Sequence, residues 1–231
     1  MMRLALTTDQ RAPRMLKSEE RLRAVPSVIC WILLLTLLGC TSSREIIPLE
    51  VRQGRPMLKK SLSDGQRFNV AVMPFEDQRA DSSRIGIRRD WRGDETTFTI
   101  EGGRLGDILA EMFVDYLKQR EGWNVWIVKP GIVPPDGGPD VTLSGMVVAF
   151  SADAEPGFGV TDMTVTARFL ITGQHPVDQR SAVVMVDAIE SSWAFGFEPR
   201  DLEALLNATL RKDLEQFMSQ VVVEGRRLRL K

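Results

Sequence analysis

The chain has 231 residues, of which 43% are hydrophobic and 26% charged. That is the balance of an ordinary globular protein, and it excludes both a disordered chain and a polytopic membrane protein. A formal net charge of -1 provides no electrostatic pull toward nucleic acid, so no nucleic-acid partner is expected. Cys30 and Cys40 are the two cysteines and His175 the one histidine. Beyond residue 40 no disulfide framework or cysteine-based zinc site can form, and no metal or other cofactor is expected.

Charge is unevenly placed. Residues 1–39 hold six basic and three acidic side chains, leaving 24 basic and 28 acidic for the remainder, a net of about -4. Val28 to Leu38 is an uncharged apolar run, preceded by the basic stretch and followed by Gly39. That order of basic, apolar and small residues is the pattern of a secretory signal peptide, here spanning residues 1–39. A start at Met15 gives the ordinary signal length, and Met15 is the start expected. At eleven residues the run is short of the ~20 needed to span a bilayer. Leu37-Leu38-Gly39-Cys40 resembles the lipobox of bacterial lipoproteins, which implies cleavage before Cys40 and acylation of that cysteine. Thr41 stands where an Asp would imply retention in the inner membrane, so the resemblance implies the outer membrane, with the inner membrane as the alternative.

Residues 40–67 are polar and basic with Pro48, Gly54, Pro56 and Gly65, and read as a lipidated tether. A domain is expected over 68–225, opening with a buried strand at Phe68–Phe75 that Pro74 ends. Within the Asp- and Arg-rich residues 76–103, Ile85–Arg88 and Thr96–Ile100 are candidate strands. Leu105, Ile108, Leu109, Met112, Tyr116 and Leu117 recur at helical spacing and predict a helix over 104–120, stopped by Gly122. A strand follows at Trp123–Val128. Val141–Phe150 is apolar on both faces and so central in its sheet. Thr161–Thr172 alternates apolar and polar residues cleanly, and Ser181–Ser192 pairs with it across a turn containing Gly173, His175 and Pro176. A helix from Pro199 to about Val222 is ended by Gly225, and 226–231 forms a basic tail. The order β-α-β-β-β-β-α predicts an α+β fold, a two-layer mixed sheet with two amphipathic helices packed on one face.

No catalytic residue emerges. Gly102-Gly103-Arg104-Leu105-Gly106 precedes a helix, where N–H groups can cradle phosphate, but it lacks the Lys-Ser/Thr of a P-loop. A glycine turn feeding the helix is the favoured reading. Asp153, Glu155 and Asp162 could offer oxygen to a hard cation, yet they lack calcium-loop spacing. His175 reads as a turn residue, and Trp193, Phe195 and Phe197 as core, with an interface edge as the alternative. The one patch favoured for partner contact is Arg84, Arg88, Arg89 and Arg92 around Trp91, where an aromatic among guanidinium groups can grip another surface.

Phe75-Glu76-Asp77-Gln78-Arg79 followed by Ile85-Gly86 resembles the YajG family of bacterial lipoproteins. More broadly it is similar to the group holding the penicillin-binding-protein activator LpoB, the CsgG-type lipoproteins and the amino-terminal domain of TolB. The resemblance covers roughly residues 68–130 and implies a non-enzymatic, periplasm-facing domain that binds other envelope proteins. The expectation is therefore an accessory lipoprotein held to the membrane by lipid and acting by contact with an envelope protein or with copies of itself. Its alternatives are a periplasmic carrier of lipid or another small apolar ligand, and an envelope hydrolase using carboxylates. The carrier requires an apolar cavity between helices and sheet. The hydrolase requires converging carboxylates of perturbed pKa.

Overall fold

The computed structural model describes residues 45–51, 68–129, 131, 138–177 and 181–231. Met15, Cys40 and most of the expected tether lie outside these. The strands are β1 (Glu45–Leu49), β2 (Asn69–Val72), β3 (Glu76–Asp77), β4 (Gly86–Arg89), β5 (Glu95–Ile100), β6 (Asn124–Ile127), β7 (Val141–Pro156), β8 (Thr161–Gln174), β9 (Ser181–Ala194), β10 (Val221–Glu224) and β11 (Arg227–Leu230). The helices are α1 (Leu105–Glu121), between β5 and β6, and α2 (Pro199–Gln220), between β9 and β10. The fold is α+β, with a nine-stranded mixed sheet and a separate β10–β11 hairpin among the described residues.

The spine is β7. On one side it pairs antiparallel with β8 over its full length, and β8 pairs antiparallel with β9. On the other side it meets β2, β3 and β4 in succession, all parallel. Beyond β2 lies parallel β6, reached through α1 as the crossover rule requires. Beyond β4 lies antiparallel β5, then parallel β1. The apolar character of β7 on both faces has a geometric cause. Val148 is an extra residue between Val147, opposite Phe169, and Ala149, opposite Arg168. This β-bulge switches the phase of alternation, so Val141, Leu143 and Val147 point into the core before it and Phe150, Ala152 and Ala154 after it.

Both helices lie on the core face of the sheet. Phe113 of α1 meets Phe217 of α2 edge to face at 5.3 Å, and Phe75 lies 5.8 Å from Phe113 and 6.4 Å from Phe169 of β8. Beneath Phe75 the sheet carries Gly145, where a Cβ would sit 2.4 Å from the ring, so only glycine lets the ring rest on the strand. The Met163, Val165, Ala167, Phe169 and Ile171 face of β8 is buried throughout.

Two boundaries differ from the sequence reading. Glu45–Leu49, expected in the tether, is a strand whose Leu49 is fully buried. Residues 226–231, expected as a basic tail, contain β11, which pairs Arg227–Leu230 with Val221–Glu224. The helix accordingly ends at Gln220, and Gly225 serves the hairpin turn, where Gly225 and Arg226 both have positive φ. Three consecutive valines, Val221 to Val223, favour the extended backbone over another helical turn.

Candidate functional site

The β4–β5 hairpin carries the patch favoured from sequence. Its turn is built by Asp90, whose Oδ1 accepts the N–H groups of Arg92 (2.8 Å) and Asp94 (2.9 Å). Those bonds hold the Asp90 carboxyl below its usual range against its partial desolvation. Trp91 thereby stands exposed at the tip, with the Arg92 guanidinium 4.6 Å from its ring centroid. The other arginines are engaged by their neighbours. Arg84 Nε donates to Asp81 Oδ2 at 2.8 Å, and Arg89 Nε to Glu95 Oε1 at 3.1 Å. The guanidinium of Arg88 lies 4.6 Å over Phe197, which in turn meets Phe98 of β5. The five residues thus share one hairpin region, but Trp91 and Arg92 alone form its tip.

Asp77-Gln78-Arg79 is a clamp. Arg79 Nε and Nη2 donate to the two oxygens of Asp77 at 2.9 and 2.8 Å, while Nη1 donates to the carbonyls of Arg84 (2.8 Å) and Phe150 (3.2 Å). The Arg79 side chain is only 7% exposed. One guanidinium therefore ties β3, the loop before β4, and β7 together, and its hydrogen bonds pull the Asp77 pKa down. Beside it is an open cleft of about 640 Å³, lined by Glu76, Asp77, Arg79, Arg84, Arg104 and Asp107 among others. Asp107 is bound by Arg104 at 2.9 Å, so two of the cleft's carboxylates are each occupied by an arginine. For Asp77 that cation favours the ionised form and leaves it a poor proton donor.

The glycine stretch before α1 has a packing role. Gly102 and Gly103 take positive φ, and a Cβ at Gly106 would lie 1.9 Å from the Phe75 carbonyl oxygen. The Phe75 N–H donates to the Gly106 carbonyl at 3.1 Å, so the helix start and the end of the β2 segment touch backbone to backbone. His175 Nδ1 accepts the Val177 N–H at 3.4 Å within the β8–β9 turn. Asp153 Oδ1 accepts the Ile87 N–H at 3.1 Å, and Glu155 and Asp162 stand opposite one another across β7 and β8. Among the described residues no group of three or more His, Cys, Asp or Glu could hold a metal ion.

Three features escaped the sequence reading. Asp213 of α2 is 2% exposed, and neither carboxylate oxygen has a hydrogen-bond partner among the described residues. Burial, and then the charge of Asp187, push its pKa up to about 7 despite Lys212. Its helical position three residues after Leu210 and four before Phe217 was the available signal. Phe158, in the β7–β8 turn, is fully exposed. The outer face of β9 exposes Val183, Met185 and Ile189, and this 14-residue strand pairs with β8 alone among the described strands. The sequence signal was there, since these residues alternate with the buried Val184, Val186 and Ala188.

No family model matches this chain and no curated protein matches it. Solved structures do. A Xanthomonas campestris protein of family DUF330 matches at 17% identity and a TM-score of 0.49, covering 75% of this chain and 92% of that one. Lipoprotein GNA1162 from Neisseria meningitidis matches at 12% identity and a TM-score of 0.31, covering 63% and 96%. A hypothetical protein of Chlamydia trachomatis, CT253, matches at 8% identity and a TM-score of 0.34, covering 66% and 94%. Identities and scores this low assign no function. No helix among the described residues is long and apolar enough to cross a membrane.

Proposed function

We propose that this protein is a non-catalytic accessory lipoprotein of the bacterial envelope, anchored through lipid on Cys40 and acting by contact with other proteins. The observation that carries the reading is the register of apolar run, Gly39 and Cys40, which fits signal cleavage and acylation together. Thr41 points the anchored chain to the outer membrane, with the domain on the periplasmic side. The outer face of β9 supports the contact role. A long edge strand leaves a row of backbone donors and acceptors open to a partner strand, and Val183, Met185 and Ile189 add apolar surface. The partner is another envelope protein or a second copy of this chain.

Among the described residues, the gap that a carrier would use is too small. The gap between helices and sheet, lined by Phe75, Leu109, Phe113, Phe169 and Leu210 among others, holds only about 10 Å³. A drug-sized ligand needs at least ~300 Å³. The test of the leading reading is metabolic palmitate labelling of the full chain beside a Cys40→Ala variant. Label and membrane fractionation are expected for the parent and lost in the variant; equal labelling of the two would sink the reading.

A further inference from the structure

The topology gathers the exposed aromatics at one end of the domain. Strand β4 runs parallel to β7 with Arg88 opposite Ala154, so the turn after β4 and the turn after β7 project the same way. β8 begins and β9 ends there too, because Thr161 lies opposite Ala194. Trp91 (78% exposed), Phe158 (106%), Trp193 (60%) and Phe195 (83%) all sit at this end, and they are the exposed large aromatics of the described residues. Three strand spacings separate β4 from β9, about 14 Å at ~4.8 Å each. Trp193 and Phe195, read from the sequence as core, are exposed instead, while Phe197 packs on the core. The Trp193 and Phe195 rings stand at 88° with centroids 5.3 Å apart.

The chain also enters the domain here. Glu45 opens β1 opposite Thr96, next to Glu95, which faces Arg89 at the hairpin tip. Cys40 lies five residues before Glu45, and five residues span at most about 18 Å. An acyl chain on Cys40 therefore places a bilayer within that reach of the same end.

We infer that this aromatic end is a membrane-docking face, with Trp91, Phe158, Trp193 and Phe195 resting in the headgroup layer of the membrane that holds the anchor. The inference rests on the reading of Cys40 as the lipidated residue. Aromatic side chains favour that layer, since a ring accepts an apolar surround on one side and water on the other. The Arg92 guanidinium over Trp91 completes an amphipathic pair at the tip. Charge contributes little. Arg89 is paired with Glu95 and Arg200 with Glu198, and Glu155 and Asp162 add negative charge. Docking is accordingly apolar, and salt does not weaken it. The face acts beside the acyl chains, fixing the tilt of the domain and turning its far end outward.

The test uses the acylated mature chain in vesicles of phosphatidylethanolamine and phosphatidylglycerol at 3:1. Acylation consumes the Cys40 thiol, so Phe158→Cys, Phe195→Cys and Val177→Cys each provide one site for a spin label. Val177, 83% exposed in the β8–β9 turn, marks the opposite end. All three positions are exposed, and an unchanged thermal transition confirms the fold of each variant. Labels at 158 and 195 are expected to collide more often with oxygen than with an aqueous nickel complex, and the label at 177 the reverse, in low and high salt alike. Labels at 158 and 195 as nickel-accessible as that at 177 overturn the docking face. Shielding of those two labels only in native envelopes, not in vesicles, overturns it in favour of a protein partner. An intact mass without acyl chains overturns the lipoprotein reading instead.

Discussion

Asp213 occupies the stripe of α2 that faces Phe169, Ile171 and Val186 of the sheet, beside the buried Leu210, Leu214 and Phe217 of the same helix. Its carboxyl titrates near 7 in the folded protein against the ordinary 3.8. Between those values the native state holds a proton that the unfolded state releases, so stability is greatest below about pH 4 for this group and falls as pH rises toward 7. A shift of about three units corresponds to roughly 4 kcal/mol at most. Urea unfolding at pH 5 and pH 8 should show the parent losing stability at the higher pH. Asp213→Leu should flatten that dependence and be the more stable protein at pH 8, because it leaves no desolvated carboxylate. A leucine variant less stable than the parent at pH 8 would mean that the carboxylate has a partner. Asp77 is the opposite case at the same scale. Its guanidinium partner holds its pKa down, so its contribution is present above the ordinary 3.8 and is lost as acid protonates it.

β1 changes where the domain begins. Its five positions pair with Thr96–Ile100 in parallel register, and the chain just beyond is held by α2. The Glu50 N–H donates to Glu203 Oε1 at 2.9 Å, and Asn207 Nδ2 donates to the Glu50 carbonyl at 3.3 Å. Leu49→Ala should therefore cost about 2–4 kcal/mol in chemical denaturation, as for any fully buried leucine; a cost near zero would make β1 an ornament of the sheet. Sequence reasoning missed the strand for a physical reason. Its burial is confined to its end, at Leu49, it contains Pro48, and its partner lies some 50 residues away. α1 and β8 were legible because each buries one face along its whole length, which writes the period into the residues. The clamp role of Asp77 and Arg79 was legible only as a motif, since its targets, the Arg84 and Phe150 carbonyls, carry no side-chain signature. Trp91 and its arginines were legible as composition. The pairing that leaves Trp91 and Arg92 at the tip required the register of β4 on β5.

Across the molecule, order should be graded outward from β7. Strands β7 and β8 share fourteen paired positions and contribute much of the buried core, whereas β10 and β11 share four and pair in a sheet of their own. Native-state hydrogen exchange should be slowest in Gly145–Ala152 and Val165–Ile171 and several orders of magnitude faster in Val221–Leu230, with the hairpin opening alone. Equal protection of the two regions would mean that the hairpin unfolds only with the core. The direction of β1 has a mechanical consequence. The chain enters β1 at Glu45, at the start of a strand bonded side by side to β5. If the proposed anchor at Cys40 pulls along the strand axis, it loads the evenly spaced, slanted hydrogen bonds of a parallel pair. Such a load is a shear shared by the five paired positions at once, with no end from which they could be unzipped singly, so the proposed anchor would hold the domain by a grip that resists tension.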